Sequence, residues 1–135
     1  MPFPLLLIDD DPTVTDALSR SLILSFDVEV ANSGDQAMEM IQAGGEFPVV
    51  VTDLRMPNMD GIQFIKEARQ FLPNSVYIVL TGNHDVRAGD YIDDSGLVFL
   101  TIQKPAKKAD LISKIEMAYG KHLKDCSCRV PHLPH

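Results

Sequence analysis

The chain has 135 residues, 45% of them hydrophobic and 23% charged, a composition that is ordinary for a single globular domain. No apolar run approaches the roughly 18 residues that a membrane-spanning helix needs, and the N-terminal segment lacks the basic leader and cleavage site of a secretory signal. We therefore expect a cytoplasmic protein that does not associate with membranes. Twelve basic against nineteen acidic side chains give a formal charge of −7, which argues against direct nucleic-acid binding by this domain.

Strand-like and helix-like patterns alternate along the chain. Short apolar or alternating runs predict strands at about 5–8, 26–31, 49–53, 76–80 and 97–102. Apolar residues at helical spacing follow each run and predict helices over about 12–22, 34–43, 60–72, 84–94 and 109–122. The fourth of these helices has the weakest pattern, because Gly89 lowers its helical propensity. Asp11 and Asp60 immediately precede predicted helices and are expected to be their N-caps.

Five strands that alternate with five helices predict an α/β fold with a doubly wound parallel sheet, since crossovers of this kind are almost always right-handed. The expected strand order is 2-1-3-4-5, which is the flavodoxin-like order, with the switch point between the first and third strands. We expect residues 1–122 to form the domain. Residues 123–135 lack periodicity and are expected to form a disordered tail, whose cysteines and histidines do not have the spacing of a recognised zinc site.

Four of the predicted strands deliver polar residues to the same edge of the sheet. Asp9 and Asp10 follow the first strand, and Asp53 ends the third. Thr81 follows the fourth strand and Lys104 the fifth. Crowded carboxylates repel one another and favour a bound cation, and Mg²⁺ prefers such hard oxygen ligands. A carboxylate can also attack phosphorus, so Asp53 is a candidate nucleophile beside groups that stabilise phosphoryl charge.

These residues, in this order and at these spacings, resemble the receiver domain of bacterial two-component response regulators. The resemblance spans roughly residues 3–122. Each matching motif is weak alone, but the ordered set is specific. The motifs are Asp-Asp-Asp-Pro at 9–12, Asp-Leu-Arg-Met-Pro-Asn-Met-Asp-Gly at 53–61, Leu-Thr-Gly at 80–82 and Lys-Pro at 104–105.

The resemblance implies a phosphorylation-dependent signalling switch rather than a turnover enzyme. Asp53 would accept a phosphoryl group from a sensor histidine kinase or a phosphotransfer protein, in a reaction that requires Mg²⁺. Asp10 would bind the metal directly and Asp9 mainly through water. The main-chain carbonyl of Arg55 would complete the protein ligands.

The same resemblance implies a two-state response to phosphorylation. Thr81 would shift toward phosphorylated Asp53 and Lys104 would pair with it, and the surface of the fourth helix, fifth strand and fifth helix would then control a partner or effector domain. The family usually carries Tyr or Phe three residues before the lysine, and this chain has Thr101 there. Phe99 lies two residues earlier and is a candidate substitute. We therefore predict a non-standard route from Asp53 to the output surface.

Two alternative functions remain open from the sequence. A Mg²⁺-dependent phosphatase could use Asp53 as its nucleophile, but such enzymes typically place a general acid two residues later, where this chain has Arg55. A pseudo-receiver that binds partners constitutively is the second alternative, suggested by Thr101 and by the weak fourth helix. A purely structural role as helix caps does not account for three acids at neighbouring strand tips.

Overall fold

The computed structural model describes residues 3–54, 59–81, 98–103 and 107–129, and the side chains of the last range as far as residue 124. Within these residues, five parallel strands form one sheet of order β2-β1-β3-β4-β5. The predicted doubly wound, flavodoxin-like fold is therefore confirmed. The strands are β1 (Pro4–Ile8), β2 (Asp27–Ala31), β3 (Val49–Asp53), β4 (Val76–Thr81) and β5 (Leu100–Gln103).

Helices cover both faces of the sheet. The helices of the described residues are α1 (Pro12–Leu22), α2 (Gly34–Gln42), α3 (Gly61–Ala68) and a C-terminal helix (Lys108–Arg129). Buried residues of α1 and the C-terminal helix share one hydrophobic cluster, and those of α2 and α3 share another on the opposite face. The helix predicted over 84–94 lies outside the described residues.

Alternate residues of the central strands supply the two clusters. Leu5 and Leu7 of β1 pack with α1 and the C-terminal helix, whereas Leu6 and Ile8 pack with α2 and α3. A strand that is buried on both faces must be apolar almost throughout, which is why β1, β3 and β4 have continuous runs. The edge strand β2 instead alternates exposed and partly buried residues before Ala31.

Polar side chains fix the beginnings of three helices, all at the edge where the strands end. The carboxylates of Asp11 and Asp60 accept hydrogen bonds from the N–H groups of Thr13 (2.9 Å) and Gln63 (2.8 Å), so both predicted N-caps are confirmed. Ser33 caps α2 in the same way. A cap of this type contributes about 1 kcal/mol to helix stability.

The C-terminal helix is longer than predicted. The expected end near residue 122 is wrong, because helix continues to Arg129 and includes the first seven residues of the expected tail. No Gly or Pro interrupts residues 121–130, and the first helix-breaking residue is Pro131. The division of the chain at residue 123 into a domain and a tail stays a prediction, and residues 130–135 lie outside the described part.

Two other element boundaries also differ from expectation. β5 begins at Leu100 rather than at 97, although the N–H of Phe99 already donates to the carbonyl of Tyr77 (2.8 Å). α3 ends at Ala68 and is followed by turns, and the Tyr77 hydroxyl donates to the Leu72 carbonyl (3.0 Å) beyond them. Burial raises the pKa of the Tyr77 hydroxyl above its usual range, so this group remains a donor.

One glycine is required by the close approach of α3 to β3. The N–H of Gly61 donates to the Leu54 carbonyl (2.8 Å), and a β-carbon at Gly61 would overlap the carbonyl oxygen of Asp53. Gly120, on the exposed side of the C-terminal helix, has open space where its β-carbon would lie.

We expect alanine to have opposite effects at these two glycines. Gly61→Ala should lower the free energy of unfolding by about 1–3 kcal/mol, because backbone atoms must move apart. Gly120→Ala should raise it by about 0.5–1 kcal/mol, because alanine loses less conformational entropy in a helix. Urea denaturation followed by circular dichroism measures both values, and a stabilising Gly61→Ala would contradict the proposed close contact.

Candidate functional site

Three carboxylates meet at the carboxyl edge of the sheet. Carboxylate oxygens of Asp9, Asp10 and Asp53 all lie within 4.8 Å of one another. The register explains this convergence, because Ile8 of β1 pairs with Thr52 of β3 and the next residue of each chain segment is an aspartate. The structure thus brings together the three acids that the sequence places at strand tips.

The cluster is buried on one side and open on the other. Asp9 is 1% exposed and Asp53 is 7% exposed, whereas Asp10 is exposed to solvent. Two buried carboxylates have lost much of their hydration, so a cation that binds them would offset both desolvation and mutual repulsion. The exposure of Asp10 is compatible with the water ligands that Mg²⁺ commonly keeps when carboxylates bind it.

The backbone around Asp53 is held by neighbouring elements. The N–H of Leu54 donates to the Leu80 carbonyl of β4 (3.0 Å), and the Leu54 carbonyl accepts from Gly61 at the start of α3 (2.8 Å). The fully buried Thr52 hydroxyl donates to the Asp53 carbonyl (3.0 Å). These bonds fix the strand tip that carries the central carboxylate.

The Asp9 side chain is also hydrogen-bonded. Its Oδ1 atom accepts from the N–H of Asp11 (3.0 Å), which bends the chain sharply between β1 and α1. Asp11 then caps α1, so one short loop carries two candidate metal ligands and a helix start. Pro12 occupies the first helical turn, where its missing N–H costs nothing.

Thr81 lies at the end of β4 and is 8% exposed. Its neighbour Leu80 pairs with Asp53, which places Thr81 one residue beyond the central acid on the adjacent strand. On the other side Thr81 pairs with Gln103, the last residue of β5. Lys104 and the main-chain carbonyl of Arg55, which the sequence also assigns to this site, lie outside the described residues.

Two residues near the cluster were missed by sequence reasoning. The Asn32 side chain donates to the Asp9 carbonyl (3.1 Å) and to the hydroxyl of Thr15 (3.2 Å). Asn32 follows the tip of β2, so the rule that identified the acids at the other strand ends could have identified it. Thr15 gave no such signal, because a threonine inside a helix is usually unremarkable.

No helix among the described residues is long and apolar enough to cross a membrane.

A divalent cation should stabilise the folded chain through this cluster. Mg²⁺ at a concentration about tenfold above its Kd should raise the free energy of unfolding by about 1.4 kcal/mol, because it binds the folded state. Asp53→Asn should reduce this gain. Urea denaturation with and without Mg²⁺, at ionic strength matched with NaCl, measures it.

Asp60→Asn is the matched control for this titration. It removes one negative charge, as Asp53→Asn does, but it lies outside the acidic cluster and asparagine still caps α3. The control should respond to Mg²⁺ like the unmodified chain. Equal stabilisation of all three proteins would contradict cation binding at the cluster.

Comparison with known proteins assigns the chain to a protein family. The family described as the response regulator receiver domain matches residues 5–116. The hydrogenase transcriptional regulatory protein HoxA of Cupriavidus necator is 33% identical over 116 residues, which are 84% of this chain and 23% of that protein. The CpxR homolog of Haemophilus influenzae, a transcriptional regulatory protein, is 36% identical over 83 residues, which are 61% of this chain and 36% of that protein. The chain therefore corresponds to a minor part of each relative.

Solved structures share the whole fold. A crystal structure of adenylate cyclase from Rhodopirellula baltica superposes with a TM-score of 0.90 at 33% identity, covering 96% of both chains. A response regulator receiver domain protein from Clostridium thermocellum superposes with a TM-score of 0.79 at 25% identity, covering 87% of this chain and 94% of that one.

Proposed function

Since the chain belongs to the response regulator receiver domain family of two-component systems, we propose that it is a signalling switch in which Asp53 accepts a phosphoryl group in a Mg²⁺-dependent reaction. The observation that carries this proposal is the cluster of three carboxylates around the tip of β3. Receiver domains bind Mg²⁺ in an acidic pocket, and the residues at this strand edge have the chemistry that such a pocket needs.

In the proposed reaction an oxygen of Asp53 attacks the phosphorus of a phosphohistidine. The new P–O bond forms as the donor P–N bond breaks, and the leaving imidazole keeps the electron pair. The restraints on the backbone at Leu54 and Gly61 hold the attacking carboxylate in place, so little orientational freedom is lost during the reaction.

The other site residues would stabilise charge on the transferred group. Mg²⁺, held by Asp9, Asp10, Asp53 and the main-chain carbonyl of Arg55, would neutralise negative charge on the phosphoryl oxygens. Thr81, buried at the end of the adjacent strand, would donate its hydroxyl proton to a phosphoryl oxygen. Lys104 would pair with the same group after transfer.

We also propose the cellular context from family membership and charge. A sensor histidine kinase or a phosphotransfer protein would supply the phosphoryl group, and the reaction would take place in the cytoplasm. The negative charge of the chain argues that an effector domain or a separate partner, rather than this domain, would contact nucleic acid if the output is transcriptional.

Acetyl phosphate tests the acceptor role of Asp53 directly. With Mg²⁺ present, we expect intact-mass spectrometry to show one phosphoryl adduct on the unmodified chain and on Asp60→Asn. No adduct should form on Asp53→Asn, which keeps the shape of the side chain but loses the nucleophilic charge. Chelation of Mg²⁺ should suppress the adduct on every variant.

Other outcomes of this experiment would favour the alternative functions. An unmodified chain that forms no adduct, and does not bind beryllofluoride, would contradict the proposal and favour a pseudo-receiver. Repeated turnover of generic phosphate esters would favour a phosphatase, for which the residue two positions after the nucleophile, Arg55, offers no general acid.

The route from Asp53 to the output surface is expected to involve Phe99. This ring is partly buried against the cluster of α1 and the C-terminal helix, and the Lys121 ammonium lies 5.8 Å from the ring centre. Thr101 is partly exposed on β5 opposite Val79. Val79 belongs to the cluster of α2 and α3, so Thr101 and Phe99 lie against opposite faces of the sheet, and the expectation that Phe99 shares the face of Thr101 is wrong. We propose instead that the Phe99 ring acts through its contacts with the C-terminal helix.

We expect Phe99→Ala to reduce the beryllofluoride-induced chemical-shift changes in the C-terminal helix. Thr101→Ala should reduce them less. Phe71→Ala, which removes a half-exposed ring after α3, serves as the control and should leave them unchanged. If neither Phe99→Ala nor Thr101→Ala altered the response, the predicted route would have no support.

A further inference from the structure

A hydrogen-bonded bridge joins the acidic loop after β1 to the tip of β2. The Asn32 side-chain nitrogen donates one proton to the Asp9 carbonyl (3.1 Å) and the other to the Thr15 hydroxyl oxygen (3.2 Å). The Thr15 hydroxyl in turn donates to the Pro12 carbonyl (3.1 Å). Every proton in this small network therefore has an acceptor, and Thr15 is only 3% exposed.

The network specifies an amide at position 32. The Asp9 carbonyl can only accept, and the single hydroxyl proton of Thr15 is already donated to Pro12. The nitrogen of Asn32 must therefore face both partners, since the reversed amide would bring two acceptor oxygens together. A carboxylate at this position would have the same size and no donor.

The Asn32 backbone is itself held in place. Its N–H donates to the Gln36 side chain in the first turn of α2 (2.8 Å). The preceding carbonyl, that of Ala31, accepts from the N–H of Asp9 (3.2 Å). Asp9 is therefore hydrogen-bonded to the connection between β2 and α2 through both its N–H and its carbonyl.

The hydrogen bond from Asn32 to the Asp9 carbonyl controls the direction of Asp10. A peptide group is planar, so the bond from Asn32 to the Asp9 carbonyl fixes the plane that leads into Asp10. Asp10 is the exposed member of the acidic cluster and has less packing around it than Asp9 or Asp53. The orientation of the Asp9–Asp10 peptide therefore sets the direction in which the Asp10 side chain leaves the backbone.

We propose that Asn32 and Thr15 are positioning residues that set the divalent-cation affinity of the acidic cluster. The inference rests on the proposed function, in which Asp9 and Asp10 are metal ligands. Groups that orient metal ligands commonly change metal affinity by about 10–100-fold when they are removed. Loss of the bridge leaves the three acids present but allows the Asp9–Asp10 peptide to rotate.

The test measures the Kd for Mg²⁺ of the folded chain by NMR titration and, separately, its free energy of unfolding without metal. Thr15→Val keeps the side-chain shape and removes the hydroxyl, and it should weaken Mg²⁺ binding by about tenfold. Thr15→Ser restores the hydroxyl and should restore the affinity. Asn32→Ala should weaken binding by about 10–100-fold.

Ser21→Ala is the matched control on the same helix. The Ser21 hydroxyl donates to the Ala17 carbonyl (3.1 Å) and is exposed, but it has no link to the acidic loop. This variant should leave the Kd unchanged. A loss of affinity in Thr15→Val that Thr15→Ser did not restore would assign the effect to general destabilisation and would overturn the proposal.

Asn32→Asp distinguishes a positioning effect on Mg²⁺ affinity from a long-range electrostatic effect. An added negative charge beside the cluster would tighten Mg²⁺ binding if long-range attraction dominated, whereas loss of both donated hydrogen bonds would weaken it. We expect weaker binding, and tighter binding would overturn the proposal. Because the bridge acts as a unit, Asn32→Ala combined with Thr15→Val should cost less affinity than the product of the two single effects.

The outcomes also distinguish this inference from the function on which it rests. An unmodified chain that does not bind Mg²⁺ would overturn the proposed function and this inference together. Mg²⁺ binding by the unmodified chain with equal affinity in Asn32→Ala and Thr15→Val would overturn the positioning role alone.

Discussion

The parallel register between β1 and β3 is the constraint on which the site depends. It places Ile8 beside Thr52, so the residues that follow, Asp9 and Asp53, lie side by side at the carboxyl edge of the sheet. A shift of one residue would turn every side chain of the moved strand to the other face. Both faces of β1 and β3 are apolar, so the close packing of particular side chains against the helices on each face opposes this shift. The stability of the core thus holds two buried acids together in spite of their repulsion.

Hydrogen bonds and close contacts hold the described parts of the connections around the acids. Asp11 and Asp60 cap the helices on either side of the cluster, and Gly61 allows α3 to approach the backbone of Asp53 closely. The Asn32 side chain adds a third restraint from the tip of β2. The loop between β1 and α1, which carries Asp9 and Asp10, is held in this way before a cation binds, and the conformational cost of binding there is lowered accordingly.

The sequence predicted the features that follow from local chemistry. Residues 49–51 are apolar because β3 is buried on both faces, and Asp11 and Asp60 are caps because their side chains reach N–H groups two or three residues later. The bridge from Asn32 to Thr15 joins residues 17 positions apart and depends on how β2 and α1 pack, so no local pattern shows it. The sequence also does not predict the length of the C-terminal helix, because residues 123–129 lack the apolar periodicity that marks its earlier turns.

The packing of the C-terminal helix limits the movement that the proposed switch could cause in this helix. Leu111, Ile115 and Ala118 are fully buried, so movement of this helix as a rigid body would disrupt a close-packed cluster. Leu100 and Thr101 of β5 are only partly buried, and β5 pairs on one side with β4. Rearrangement of side chains along this edge costs less than displacement of the helix. The proposed switch would therefore transmit a change beside Thr81 along β5 by side-chain repacking, while the C-terminal helix keeps its position on the sheet.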